Sequence, residues 1–237
     1  MILIISEELP EVIHRNMKNL KTLWAESDAV CFDVDSTLCT TEMIDELAAF
    51  CNVGEEVAEW TRKAMGEGIS FRQALDARLS IIKPTASVLE HFKAKDSAVL
   101  TPGVLELITK LVALKKDIFL VSGGFQSLIK PIAKKIGISD ENIFANRILF
   151  DEAGNYAGFD TEQPTSESGG KKVVMAMLKE KFGYKSLVMI GDGMSDFEAY
   201  PTADLFIGFG GNIVRENVRA KAPWYVMNFN ELIDCLP

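Results

Sequence analysis

Histidine is scarce in this sequence, and its scarcity limits the kinds of site the chain can build. The 237 residues include two histidines, His14 and His91, and neither has a partner at ligand spacing. Many zinc sites and the serine-type catalytic triads require histidine. The composition therefore argues against a histidine-built zinc site and against a histidine-based triad.

Cysteine lacks the spacing that would give it a structural role. The chain contains no CxxC pair and no disulfide-framework pattern among its four cysteines, which are Cys31, Cys39, Cys51 and Cys235. The first five residues are apolar but carry no basic leader, so we expect no signal peptide. Reduced thiols in a cytoplasmic protein are the expected consequence.

Long apolar runs and excess positive charge are also absent. No continuous apolar run approaches about 18 residues, so we predict no membrane span. The formal net charge is −9, which argues against nucleic acid as a partner, because binding a polyanion requires cationic side chains. An anionic substrate would therefore depend on local positive charge from a metal, a helix N-terminus or a well-placed Lys or Arg.

Short apolar runs, each followed by a turn and a helical pattern, organise the chain. They lie at 29–33, 117–124, 186–193, 203–211 and 224–228. The runs are continuously apolar rather than alternating, as expected of strands covered on both faces. Strand–helix alternation of this kind predicts a Rossmann-like parallel sheet core flanked by helices, with right-handed crossovers.

The stretch between the first two runs is too long for one crossover. Residues 39–100 contain several helical patterns, of which the one over "SFRQALDARLSIIKP" is stopped by Pro84. An insert directly after the first strand would lie over the strand ends, where a lid belongs. We therefore predict a helical cap domain at 39–100 and an α/β core made of 1–38 and 101–237.

Residues 142–160 have a different pattern. Two β-rich runs flank Ala153, Gly154 and Asn155, which are suited to a turn. This segment is predicted to be a β-hairpin flap within the core.

Polar residues close three of the predicted strands, namely Asp33, Ser122 and Asp192. Parallel strands present their carboxyl ends at one edge of the sheet, where ligands bind. Gly123 would let a ligand approach the backbone, and Lys171 opens a later helix. Carboxylates, a hydroxyl and a lysine together suit a phosphoryl group bridged by Mg²⁺.

Asp33 and Asp35 stand one residue apart at the end of the first strand. Two like charges are tolerated there if a cation and a phosphate share their space. If the chain bends after Asp33, the first carboxylate faces phosphorus as a nucleophile. Asp35 would then protonate the leaving oxygen and later activate the water that hydrolyses the intermediate.

Four motifs, "DVDST", "SGG", the isolated Lys171 and "GDGMSD", together resemble those of the haloacid-dehalogenase-like phosphohydrolase superfamily. Asp35 implies a phosphatase or mutase, because the transport ATPases and dehalogenases of the superfamily lack this acid. Finer matches such as "IDELA", "TRKAM" and "QPTSESGGK" extend over roughly 28–236 and are similar to the animal-type phosphoserine phosphatases. The resemblance implies hydrolysis of O-phosphoserine to serine, the last step of serine biosynthesis, through an aspartyl phosphate.

The resemblance also implies a role for individual residues of the core. Asp33 matches the nucleophile and Asp35 the acid/base. The implied Mg²⁺ ligands are Asp33, the Asp35 carbonyl and Asp192, with Asp196 in support. The implied phosphate binders are Ser122, Gly123 and Lys171.

In the cap, the resemblance implies that Glu42 meets the substrate ammonium and Arg78 its carboxylate. Met65 and Phe71 match the residues that close over the substrate. Without the family, Glu42 is an acid suited to the first turn of a helix, and Arg78 could lie on a solvated face. Ser195 departs from the usual Asn or Thr, which leaves a supporting role for that position open.

Two other functions fit the residues less closely. One is a phosphatase or phosphomutase acting on another small phosphomonoester. The other is a phospho-accepting signalling switch, which also uses an aspartate at a strand end but needs no cap and would be hindered by Asp35. Repeated turnover distinguishes an enzyme from a switch, and we expect the protein to be a monomer or a homodimer.

Overall fold

The computed structural model describes residues 8–64, 68–95 and 98–237. The strands in these residues are β1 Ala29–Phe32, β2 Asp117–Phe125, β3 Ile143–Asn146, β4 Ile148–Phe150, β5 Tyr156–Phe159, β6 Leu187–Gly191, β7 Leu205–Phe209 and β8 Trp224–Val226. Six of them form a parallel sheet in the order β3-β2-β1-β6-β7-β8, and β4 pairs with β5 in a separate antiparallel hairpin. The predicted parallel α/β core and the hairpin flap are thus confirmed.

Helices pack on both faces of this sheet and fill the insert after β1. They are α1 Glu8–Glu26, α2 Met43–Phe50, α3 Gly54–Ala64, α4 Phe71–Ile82, α5 Ala86–Ala94, α6 Val104–Ala113, α7 Gln126–Lys135, α8 Gly170–Phe182, α9 Met194–Phe197, α10 Glu216–Arg219 and α11 Asn230–Ile233. Among the described residues, no helix is both long enough and apolar enough to cross a bilayer.

The central strand β1 explains the continuous apolar pattern of the sequence. Val30 and Phe32 pack into one hydrophobic cluster, whereas Ala29 and Cys31 pack into a second cluster on the opposite face. All four are fully buried, because helices cover both faces of the sheet. The flanking strands β2 and β6 align with β1 in parallel, so the residue after Phe32 emerges at the carboxyl edge.

Four helices, α2 to α5, form the inserted cap that the sequence predicts. In α4, Ser70 accepts from the Gln73 amide while the Gln73 side chain accepts from the Ser70 amide, which is a capping box. The same helix ends at Lys83 in a left-handed conformation, just before Pro84. The domain limits at residues 39 and 100 stay a prediction.

The predicted hairpin at 142–160 needs one revision of its extent. Ile143–Asn146 forms β3 and joins the edge of the main sheet beside β2, so the paired hairpin spans 148–159. The physical reason is the crossover through α7, which returns the chain parallel to β2 before the hairpin begins. At the hairpin turn, the Gly154 carbonyl accepts from the Ala86 amide at the start of α5.

Phe32 offers a test of this core, because it is fully buried immediately before Asp33 and its ring meets Phe229 edge-on at 6.4 Å between centroids. Replacing Phe32 by Ala leaves a cavity, so the free energy of unfolding should fall by about 3–5 kcal/mol in urea denaturation. Val112, which is 59% exposed, provides the control, and Val112→Ala should change the same quantity by no more than about 0.5 kcal/mol. Similar losses in both variants would contradict the packing described for β1.

Candidate active site

The loop that follows β1 turns sharply and returns Asp35 toward the sheet edge. Ser36, three residues after Asp33, adopts a positive φ of 53°, which turns the chain sharply. The Asn212 side-chain amide, from the loop after β7, donates to the Ser36 carbonyl at 3.1 Å and to the Cys39 carbonyl at 3.2 Å. The chain therefore turns directly after Asp35, and a neighbouring loop holds the turn.

Three buried aspartates converge at this edge. Asp33, Asp192 and Asp196 each place a carboxylate oxygen within 4.8 Å of the others. Gly191 makes the approach of Asp196 possible, since a Cβ there would stand 2.2 Å from the Asp196 Cγ. Such a set of hard oxygen donors fits a divalent cation of the Mg²⁺ or Ca²⁺ type.

Lys171 provides the positive charge that this cluster requires. Its Nζ donates to Asp33 Oδ1 at 2.7 Å and also to Asp196 Oδ1, and all three side chains are buried. Burial disfavours the ammonium, but the carboxylates of Asp196 and Asp33 outweigh burial and raise the pKa of Lys171. The lysine is therefore held as a cation beside the predicted nucleophile.

Asp35 has a different environment from the three clustered aspartates. Its Oδ1 accepts from the Met43 amide at 3.0 Å, at the start of α2. Burial first, and then the nearby Glu42 carboxylate, raise the pKa of Asp35 to about 7. A carboxyl group with such a pKa can both give and take a proton near neutrality. Gly124 lets the Asp35 carboxylate lie close to the backbone of β2, since a Cβ on Gly124 would lie 2.8 Å from Asp35 Oδ2.

Arg215 is a site residue that the sequence reasoning missed. Its Nε donates to Asp192 Oδ2 at 2.7 Å, and its Nη2 lies 3.4 Å from Glu42 Oε1. Thr37 was missed too, and it donates to the other oxygen of Asp192 at 3.2 Å. A signal for Arg215 existed, because it lies in the loop after β7, whose carboxyl end lies at the same edge as those of β1 and β6.

These side chains line a cavity of about 380 Å³ between the sheet edge and the cap. Its charged lining comprises five carboxylates and three cations: Asp33, Asp35, Glu42, Asp192, Asp196, Arg78, Lys171 and Arg215. The excess of carboxylates agrees with a site that takes up a cation. On the cap side, Phe71 and Leu75 of α4 supply an apolar wall.

Two of the cap residues predicted to contact substrate face this cavity with different partners. The Glu42 Oε1 accepts from the Ser36 hydroxyl at 2.9 Å as well as pairing with Arg215. Arg78 donates to the Ala74 carbonyl at 3.2 Å, and within the described part of the chain it has no carboxylate at ion-pair distance. Burial lowers the pKa of Arg78, with Asp45 the largest opposing influence. Its guanidinium is thus available to an anion inside the cavity.

The glycine pair after Ser122 forms the floor beneath Phe71. A Cβ on Gly123 would lie 2.7 Å from Phe71 Cζ, so the aromatic ring rests directly on the backbone. Ser122 is fully buried beside this floor, and its Oγ accepts from the Gly124 amide at 2.9 Å. Gly123 therefore borders the cavity, and the adjacent Ser122 hydroxyl is oriented by the Gly124 amide.

The structure gathers most of the predicted site residues in one place. The cavity is lined by Asp33, Asp35, Glu42, Phe71, Arg78, Gly123, Lys171, Asp192, Ser195 and Asp196. Met65 lies outside the described residues. The roles given to these residues by the sequence stay predictions at this point.

Comparison with known proteins places this geometry in a family. A sequence model of the haloacid dehalogenase-like hydrolases matches residues 27–204. The phosphoserine phosphatase of Bos taurus is 49% identical over 217 residues, which cover 92% of this chain and 96% of that protein.

Solved structures agree with the sequence match. The phospho-aspartyl intermediate analogue of a phosphoserine phosphatase superposes with a TM-score of 0.76 and 28% identity, over 89% of this chain and 99% of that one. A structure of DsGPDH of Dunaliella salina superposes with a TM-score of 0.81 and 33% identity over 92% of this chain, which spans only 37% of that longer chain. From the fold, the acidic edge and these relatives together, the chain belongs to the phosphoserine phosphatases within the haloacid dehalogenase-like hydrolase family.

Proposed function

We propose that this protein hydrolyses O-phosphoserine to serine and phosphate through an aspartyl phosphate on Asp33. The observation that carries the proposal is one cavity in which Asp33, Asp35 and Lys171 meet a half-buried Arg78 that has no described carboxylate partner. The first three suit phosphoryl transfer, and the fourth suits a substrate with a carboxylate. The similarity to curated phosphoserine phosphatases supports the same assignment.

In the first step, an oxygen of Asp33 attacks phosphorus and the bond from phosphorus to the serine oxygen breaks. Asp35 donates its proton to that departing oxygen, for which a pKa of about 7 is well matched. Lys171, held 2.7 Å from Asp33, offsets negative charge on the phosphoryl oxygens as the group transfers. The Ser122 hydroxyl and the Gly123 amide are proposed to donate to the same group, since the hydroxyl accepts from Gly124 and keeps its own hydrogen to donate.

In the second step, Asp35 acts as a base. It takes a proton from water as the water oxygen attacks phosphorus, and the bond from phosphorus to Asp33 breaks. Phosphate leaves, Asp33 is again a carboxylate, and Asp35 again carries the proton needed for the next cycle.

We propose Mg²⁺ as the cation of the acidic edge. Asp33, the Asp35 carbonyl and Asp192 would hold it, with Asp196 in support through its contacts with Lys171 and the Gly193 amide. When bound, it would offset the combined negative charge of the phosphate and the carboxylates. The hard-oxygen character of the donors supports this choice.

The cap residues are proposed to select the substrate. Glu42 would receive the substrate ammonium, and Arg78 would bind its carboxylate in a bidentate manner. Phe71 would cover the bound phosphoserine, as would Met65, which lies outside the described residues. This division of roles separates an amino-acid phosphate from a simple phosphate ester.

The proposed function also implies what the protein binds and in which compartment it acts. The substrate is a small molecule, and the net charge of −9 argues against nucleic acid. All four cysteines are free thiols, which supports a cytoplasmic place of action. A monomer or homodimer with a cap at 39–100 remains the proposed organisation.

Asp33→Asn should abolish turnover while preserving the fold. The amide keeps the shape but cannot attack phosphorus, so phosphate release should fall by about three orders of magnitude or more. Lys171 retains its contact with Asp196, and one buried carboxylate is removed, so the Tm should not fall. Asp140→Asn, at an exposed carboxylate outside the cavity, is the control and should turn over normally. Near-normal phosphate release by Asp33→Asn would remove this residue from the nucleophile's role.

Metal dependence should be visible in binding as well as in turnover. Chelation should abolish phosphate release, and added Mg²⁺ should restore it and raise the Tm of the protein, because a cation relieves repulsion among the buried carboxylates. Asp192→Asn should lose the Mg²⁺-dependent rise in Tm.

Ca²⁺ should inhibit phosphate release, since it takes more ligands at longer distance and can engage the second oxygen of Asp33. Full turnover in excess chelator is the result that would exclude a metal requirement.

Arg78→Ala should impair specificity more than chemistry. The kcat/KM for O-phosphoserine should fall by an amount that corresponds to a loss of about 2–4 kcal/mol of transition-state stabilisation. This is the range for removing one partner of a buried charged pair. Hydrolysis of p-nitrophenyl phosphate should change far less, because that ester has no carboxylate to lose. Arg78→Lys should rescue only in part, since a point charge cannot reproduce the guanidinium fork.

The exposed Arg219→Ala provides the matched control, with unchanged kinetics on both esters. Equal losses on both esters in Arg78→Ala would make Arg78 a structural residue. A wild-type protein that prefers other phosphomonoesters to O-phosphoserine would contradict the proposed substrate while leaving the phosphatase chemistry intact.

A further inference from the structure

Arg72, the second residue of α4, connects the cap to the core. Its Nη2 donates to the Thr161 carbonyl at 3.0 Å and to the Ser166 hydroxyl at 3.0 Å. Its Nε stands 2.8 Å from Glu167 Oε1. The contact with Glu167 is an ion pair without hydrogen-bond geometry. All three partners belong to the core segment 161–167 between β5 and α8, so a single guanidinium joins the beginning of α4 to that segment.

The segment that Arg72 contacts is itself tied to the cavity floor. Thr165 donates to the Asn146 side chain at 3.0 Å, and the Asn146 amide donates to the Gly123 carbonyl at 2.8 Å. Ser166 and Asn146 are fully buried. Arg72 therefore contacts a buried, hydrogen-bonded segment of the core, and this segment also holds the backbone of Gly123.

Phe71, the neighbour of Arg72, borders two cavities. The larger one contains the proposed site, and the second has a volume of about 190 Å³. Both are bordered by Phe71, Gly123, Lys171 and Ser195, and the second is also bordered by Glu167. Because Phe71 rests on Gly123, moving α4 outward would join the two spaces and expose Lys171 to water.

We propose that Arg72 is a positioning residue that keeps the beginning of α4 on segment 161–167 and so holds Phe71 against Gly123. Its effect on catalysis rests on the proposed phosphatase function, whereas its effect on the cap does not. An isolated ion pair with these exposures, 34% and 46%, contributes little by itself. Arg72 differs from such a pair because two further hydrogen bonds reach a backbone carbonyl and a buried hydroxyl, which fixes the orientation of the guanidinium.

Hydrogen exchange measured by mass spectrometry tests the structural part without any substrate. In Arg72→Ala, amides of α4 should exchange about tenfold faster than in the wild type, while peptides from β1 and β6 keep their rates, because only the cap is released. Lys93→Ala is the matched control, since the Lys93–Glu90 ion pair lies entirely within the cap helix α5. It should leave the exchange of α4 unchanged.

Kinetics test the catalytic part with two esters. In Arg72→Ala, kcat/KM should fall about tenfold for p-nitrophenyl phosphate, mainly through KM, because Phe71 covers the phosphate side that both esters share. For O-phosphoserine the fall should be about tenfold or more, because α4 also carries Arg78. Arg72→Lys should recover part of the loss. Glu167→Gln should weaken catalysis in the same direction, and adding it to Arg72→Ala should cost little more, since the two side chains act as one contact.

The proposal is overturned if α4 exchanges at the wild-type rate in Arg72→Ala, or if β1 and β6 exchange faster to the same degree. It is also overturned if kcat/KM stays normal on both esters or falls on O-phosphoserine alone. A wild-type protein inactive on O-phosphoserine but active on p-nitrophenyl phosphate would contradict the proposed substrate only, because the exchange data and the second ester still test Arg72.

Discussion

The pairing of Lys171 with Asp33 and Asp196 is the interaction on which the rest of the site depends. Buried carboxylates at the ends of neighbouring strands repel one another, and burial removes the water that would screen them. Lys171 opens α8 directly beneath them and offsets part of that charge, while Arg215 does so for Asp192 on the other side. The remaining negative charge is what makes the edge a place for a cation.

Close packing around these charges depends on residues that lack a side chain. Gly191 leaves room for Asp196, and Gly124 leaves room for Asp35. The ring of Phe71, from the cap, packs directly on the backbone of Gly123. The cap therefore contacts the same sheet edge that carries the catalytic residues. A Cβ at any of these positions would push a functional group away from the place its role requires, which couples the backbone of the core directly to the geometry of the site.

The prediction of the core followed from patterns that are local in the chain. Apolar runs such as Ala29–Phe32 predicted buried strands, and the acids that follow them predicted one functional edge. The extent of the hairpin was only partly predicted, because a β-rich composition does not determine which sheet a strand joins. Ile143–Asn146 forms a strand of the main sheet instead of the hairpin. Arg215 carried no motif of its own, since its importance comes from the neighbouring position of β7 in the sheet order.

The sequence alone determined the strand–helix order, the placing of acids at the ends of the buried strands, and the family to which these residues point. These are decided by neighbours within a few positions and by the burial that each residue type favours. Only the tertiary structure decided that Phe71 packs on the Gly123 backbone, that Arg78 stands without a described carboxylate partner, and that Arg72 joins the cap to segment 161–167. The hydrogen bonds of Arg72 to Thr161 and Ser166 span 89 and 94 positions along the chain, so they form only once the fold brings these distant segments together.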